Sequence, residues 1–184
     1  MKRDFFCLGL VMVVLPLALV TAAGGCSRSR KAAKMDPVQA VQVTPVTGEA
    51  LTKLIRQAQA SVVVVNVWAT WCAPCVEEFP QLVRFQKHYR DVGVKFFFVS
   101  ADIKSNLPAV REFLARQKAQ GPAYLKTGPD DEFVRALSTS WSGAIPAVFV
   151  FDSKGILRHF HEGKVGDNQL SDTILDVLKG PVSS

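Results

Sequence analysis

The chain has 184 residues, 22 Lys and Arg against 16 Asp and Glu, and a formal net charge of +6. Residues 1–34 carry six of the basic residues and one acid, Asp4, so this segment accounts for +5 of the total and the rest of the chain is almost neutral. That excludes the concentrated basic face of a nucleic-acid binder, while the 150 residues from Met35 onward are enough to bury a core without crosslinks.

The chain opens with Lys2 and Arg3, then runs without a charged residue from Phe5 to Gly25 and ends that run in small residues. This is the anatomy of an export signal, expected to span residues 1–25. Residues 26–37 follow as a basic tether able to meet anionic lipid headgroups, and residues 38–184 form the domain. The stretch "TAAGGC" resembles a bacterial lipobox, with Ala23 where leucine is usual, and this implies cleavage and lipidation at Cys26. The alternative is an uncleaved anchor, since the 21 uncharged residues can cross a bilayer. Four basic residues follow the run and two precede it, which opposes the positive-inside bias for an exported domain and favours cleavage.

Within the domain, "VQAVQVTPV" predicts a linker passing into a short strand. Thr47 is placed to cap a helix whose Leu51, Leu54, Ile55 and Ala58 recur at helical spacing. "SVVVVNVWA" is a β-branched run of the kind buried on both faces of a parallel sheet. From Val76 the pattern turns helical through Phe79, Leu82, Val83, Gln86 and Tyr89, with Pro80 expected to kink it. "VGVKFFFVS" predicts the next strand. Asn106 and Pro108 open a helix with Val110, Phe113 and Leu114 inward, expected to end at Gly121. "AYLKTG" predicts a short strand and Asp130 to Leu137 a short helix. "AVFVF" and "ILRHFH" flank Asp152-Ser153-Lys154-Gly155 as a hairpin, and Asp167 to Lys179 closes as a helix stopped by Gly180 and Pro181. This order favours a mixed sheet with helices on both faces.

Four cysteines occur, Cys7, Cys26, Cys72 and Cys75, and only the last two belong to the domain. A Cys-x-x-Cys pair can be half a zinc site, a structural crosslink or a redox couple. Zinc needs a second pair or two suitably spaced histidines; no second pair exists, and His88, His159 and His161 lack that spacing, so no metal is expected. His159 and His161 read as a solvated strand face. Cys72 falls where a buried strand turns into a helix. Unpaired N–H groups and the helix dipole there lower a thiol's pKa, and the thiolate is the nucleophile. Cys75, one turn further in, is expected to be less exposed, and Pro74 stiffens the dipeptide between them. Such a pair would act through a mixed disulfide on Cys72 that Cys75 resolves.

"NVWATWCAPCVEEFP" together with "GAIPAVFVFDSKG" resembles the TlpA/ResA-like thiol-disulfide oxidoreductases of the thioredoxin superfamily, over nearly all of residues 40–180. The resemblance implies a thioredoxin-like α/β fold, with a central mixed β-sheet flanked by helices on both faces, and an enzyme with no cofactor. It implies Cys72, Cys75 and Glu78 as catalytic residues, Glu78 matching the branch's acidic residue three positions past Cys75. Trp71, Ala73, Pro74, Ile145 and Pro146 become the substrate contacts, with Ile145-Pro146 matching a cis-proline loop that lies against the pair. Trp68 and Trp141 are expected to pack. Asn66 stands where thioredoxin carries a buried acid, and reads here as a buried amide bonded to backbone. The implied partners are exported proteins with disulfides, apocytochrome c among them, a membrane electron donor, and lipid through the N-terminus, on the periplasmic or outer side of a membrane. Two alternatives stay open: an oxidase or isomerase of the same fold, and a copper-binding module, which usually has a wider cysteine spacing.

Overall fold

The computed structural model describes Val38 and residues 41–180. The expected signal and basic tether, with Cys7 and Cys26, lie outside the described residues. The elements run β1 (Val43–Val46), α1 (Gly48–Arg56), β2 (Val62–Trp68), α2 (Ala73–Tyr89), β3 (Val94–Ser100), α3 (Leu107–Gln117), β4 (Ala123–Lys126), α4 (Asp130–Leu137), β5 (Ala147–Asp152), β6 (Leu157–Glu162) and α5 (Asp167–Lys179). The six strands form one sheet in the order β1-β4-β3-β2-β5-β6. The first three pairings across it are parallel and the last two antiparallel. The expected mixed sheet is therefore present.

All seven residues of β2 are buried, as its unbroken apolar run requires of a strand with a neighbour on each side. Alternation sends Val62, Val64 and Trp68 into one core with α2, α3 and α5. It sends Val63, Val65 and Val67 into a second core with α1 and α4. On the first face Trp68, Phe79 and Phe113 meet with ring centroids 4.8 to 4.9 Å apart. Burying an aromatic of this size contributes about 1.5–3 kcal/mol, so this cluster fixes where α2 lies on the sheet. Thr47 caps α1 as its position predicts, its Oγ1 accepting the Ala50 N–H at 3.3 Å. The β5–β6 hairpin is closed by Asp152, whose Oδ1 accepts the N–H groups of Lys154 (2.9 Å) and Ile156 (3.0 Å).

Pro80 lies inside α2 with its ring exposed, and the helix continues through it to Tyr89. Two local expectations change. The helix opened by Asn106 ends at Gln117 rather than at Gly121, because Lys118 takes the left-handed conformation (φ 55°) and caps it. Asn66 is 1% exposed, and neither its amide nitrogen nor its oxygen has a hydrogen-bond partner, so it is not bonded to backbone. The backbone around it is committed to the ladders with β3 and β5. Its side chain leaves the sheet at right angles to both, into an apolar layer.

Candidate active site

The site forms where β2 ends and α2 begins. Cys72 is the N-cap residue of α2, and its sulfur lies 3.3 Å from the Cys75 N–H. The two cysteines are joined as a disulfide with their Cα atoms 5.2 Å apart. Cys75 is fully buried and Cys72 is 6% exposed, the asymmetry that attack by one thiol and resolution by the other require. Ala73 and Pro74 are exposed between them.

The bond between Ile145 and Pro146 is cis, and the loop lies against the pair, with the Ile145 carbonyl oxygen 3.8 Å from the Cys72 sulfur. A disulfide sulfur carries no proton, so this is a packing contact that a Cys72 thiol could turn into a hydrogen bond. Trp141 braces the loop: its Nε1–H donates to the Ala144 carbonyl at 2.8 Å and its ring meets Phe149 edge-on. Trp141 and Trp68 are buried, as expected of packing residues, whereas Trp71 is 67% exposed beside the disulfide. Trp71, Ile103, Trp141 and Ile145 line a cavity of about 790 Å³.

Glu78 sits one turn beyond Cys75 on the buried side of α2 and is itself 2% exposed. Its Oε2 accepts the Val165 N–H at 3.2 Å, while Oε1 has no partner. Burial pushes its pKa from 4.5 up to about 7, against the lowering effects of the Val165 N–H and Lys164. The loop bearing Val165 is clipped to α2 twice more, by Gln81 to the Val165 carbonyl (3.2 Å) and by Lys164 to Glu77 (2.9 Å).

Asp102, Thr70, Ser100 and Asn106 complete the surroundings, and sequence reasoning passed over their roles. Asp102 is 3% exposed. Its carboxylate accepts the Thr70 N–H (2.9 Å), the Thr70 hydroxyl (2.5 Å), the Ser100 hydroxyl (2.8 Å) and the Asn106 amide (2.8 Å). Burial raises its pKa, but these four donors together outweigh burial and hold it below the usual value. An acid just past a strand carries no periodic signal, and only its spacing from Asn106 hinted at a local bond.

The Redoxin family matches residues 34–175. The thiol-disulfide oxidoreductase ResA of Bacillus subtilis is 26% identical over 121 residues, which span 66% of this chain and 64% of ResA. The thiol:disulfide interchange protein DsbE of Haemophilus influenzae is 28% identical over 138 residues, 71% of each chain. A thioredoxin-family thiol:disulfide interchange protein from Chlorobium tepidum has a similar structure, with a TM-score of 0.57 and 25% identity over 75% of this chain and 98% of its own. The architecture is thus thioredoxin-like, and the chain belongs to the Redoxin family as a thiol-disulfide oxidoreductase of the ResA/DsbE type, with Cys72 and Cys75 as its cysteine pair.

Proposed function

We propose that the protein is an exported, membrane-tethered reductase of disulfides in other exported proteins, apocytochrome c among them. The observation that carries the catalytic part is the asymmetric placement of the pair: Cys72 at the edge of solvent under a helix N-terminus, and Cys75 sealed behind it next to a carboxyl poised near pH 7. The Cys72 thiolate attacks one sulfur of the substrate disulfide, forming a mixed disulfide and releasing the other sulfur as a thiolate. Cys75, its proton taken by Glu78, then attacks the Cys72 sulfur. The second substrate thiol leaves, the Cys72–Cys75 disulfide remains, and two electrons have passed to the substrate. An external donor, membrane-bound in this reading, returns them. Trp71, Ala73 and Pro74 offer the docking surface, with Ile145 and Pro146 opposite.

Export rests on the leader, and tethering on lipidation at Cys26. Mass spectrometry of the mature protein should find a lipidated Cys26 at its start; an intact Met1 would overturn this. Cys75→Ser should accumulate mixed disulfides with substrates on non-reducing gels and Cys72→Ser none, and the reverse pattern would exchange the two roles. A reduction potential near thioredoxin's, about −270 mV, fits a reductase, whereas one near about −120 mV makes the protein an oxidase.

A further inference from the structure

We infer that Asp102 is a positioning residue for Cys72, acting through Thr70 to hold the attacking sulfur at the N-terminus of α2. Thr70 lies two residues before Cys72, in a turn closed by the Cys72 N–H on the Ala69 carbonyl at 3.2 Å. Asp102 grips both the backbone N–H and the hydroxyl of Thr70. The carboxylate is fixed in turn by the Ser100 hydroxyl and the Asn106 amide, and its own N–H donates to Ser100 Oγ at 3.0 Å. The neighbouring Ala101 N–H reaches back to the Trp68 carbonyl at 2.7 Å. The turn from β2 to α2 is therefore tied to the end of β3 at two points, Trp68 and Thr70.

Among the described residues no cation pairs with Asp102; every donor to it is neutral. A buried carboxylate satisfied in this way is costly unless all its hydrogen bonds are made, so the knot has one tight arrangement. In the oxidised protein the disulfide also restrains Cys72. Once that bond is reduced, the knot is what remains to hold the turn, and in the reduced form the sulfur must keep its 3.3 Å contact with the Cys75 N–H to be held as a thiolate. The other charged groups around the cavity shared by Trp71 and Asp102 are Lys104, Lys126, Asp130, Asp131 and Arg135. Lys126 pairs with Asp130 and Arg135 with Asp131, Lys104 is exposed, and Glu78 faces Val165. All of these stay in place in the variants below.

The inference rests on Cys72 being the attacking thiol, and one experiment separates the two claims. The reduced protein is alkylated with iodoacetamide across pH, and the modified cysteine is identified by mass spectrometry. Asp102→Asn keeps the shape but presents an amide nitrogen to at least one N–H or O–H donor. It should raise the midpoint of the Cys72 pH–rate profile by about one unit and slow alkylation at neutral pH about tenfold. Thr70→Val leaves the Asp102 charge in place and should move the midpoint the same way by less, while Thr70→Ser should match wild type. If Asp102 acted only through its charge, Asp102→Asn would lower the midpoint and Thr70→Val would leave it alone. Either result, or no shift in both variants, overturns the inference. If Asp102→Asn does not fold, as judged by thermal unfolding of the oxidised protein, the Thr70 pair decides alone. Modification of Cys75 instead of Cys72 in the wild type would overturn the assignment of the attacking thiol, and with it the inference.

Discussion

The two faces of the sheet are finished to different standards. The face under α1 and α4 is apolar, with Val63, Val65, Val67, Phe133 and Phe149 in a continuous core. The face under α2, α3 and α5 carries the cysteine pair, and among the described residues the buried side-chain polar atoms without partners belong to it or to its helices: both amide atoms of Asn66, Trp68 Nε1, Glu78 Oε1 and Arg111 Nε. Unpaired buried polar atoms cost about 1–3 kcal/mol each. The difference teaches that one side of the sheet is packed without polar compromise, while the other, itself a large apolar core, accepts polar groups that chemistry can use.

The largest test removes an aromatic from the finished face. Phe151 is 4% exposed in this core and does not line the cavity beside Trp71, and Phe151→Ala should cost about 3–5 kcal/mol in denaturant unfolding. Disulfide-exchange rates of the folded variant should stay unchanged. A change in exchange rate at constant substrate would mean that the two faces are coupled.

Glu78→Gln tests the other face through pH. The folded pKa of Glu78 stands above its unfolded value, so folding favours the protonated form. The stability it allows is fully present below about pH 4.5 and is lost as pH rises through about 7, a loss of roughly 3 kcal/mol. Glu78→Gln should therefore be more stable than wild type at pH 8, and flatter between those limits, in thermal unfolding of the oxidised protein. Resolution of the mixed disulfide should slow in rapid-mixing experiments, more than the first attack does. Equal resolution rates would leave Glu78 with a structural role only.

Asn66→Leu should stabilise by about 1–2 kcal/mol, because it replaces an unpaired buried amide with an apolar group of similar size. A loss of stability, read from the guanidinium midpoint, would mean that the amide is satisfied in solution. The smallest stability effect belongs to Trp71→Ala at the exposed rim: unfolding should move by less than about 0.5 kcal/mol, while exchange with protein disulfides weakens more than exchange with a small disulfide reagent.

What could be read from the sequence follows the same division. An unbroken apolar run placed β2 and helical spacing placed α1, because burial along a regular element leaves a pattern that is visible in a linear string. The cysteine pair and the Ile145-Pro146 loop were legible as local motifs. Asp102 was not, because its partners Thr70 and Asn106 converge only when β2 and β3 pair and the turns at their ends come together. Asn66 was misread for a related reason. A single amide in a strand does not reveal that both neighbouring ladders have used the nearby backbone groups. Gly121 drew attention as a helix stop, although Lys118 could take the left-handed conformation three residues earlier.

The margins of the sheet have a consequence for recognition. The outer strands are β1, only four residues long with Pro45 inside it, and β6, which carries Arg158, His159, His161 and Glu162. Pro45 has no N–H to offer, and a strand rich in charged and polar side chains resists a new neighbour. Among the described residues, β1 thus presents a broken ladder and β6 a charged one, and both disfavour the addition of a foreign strand. In the proposed reading an incoming polypeptide therefore meets the tips of the strands, at Trp71 and Ile145, and does not lengthen the sheet sideways.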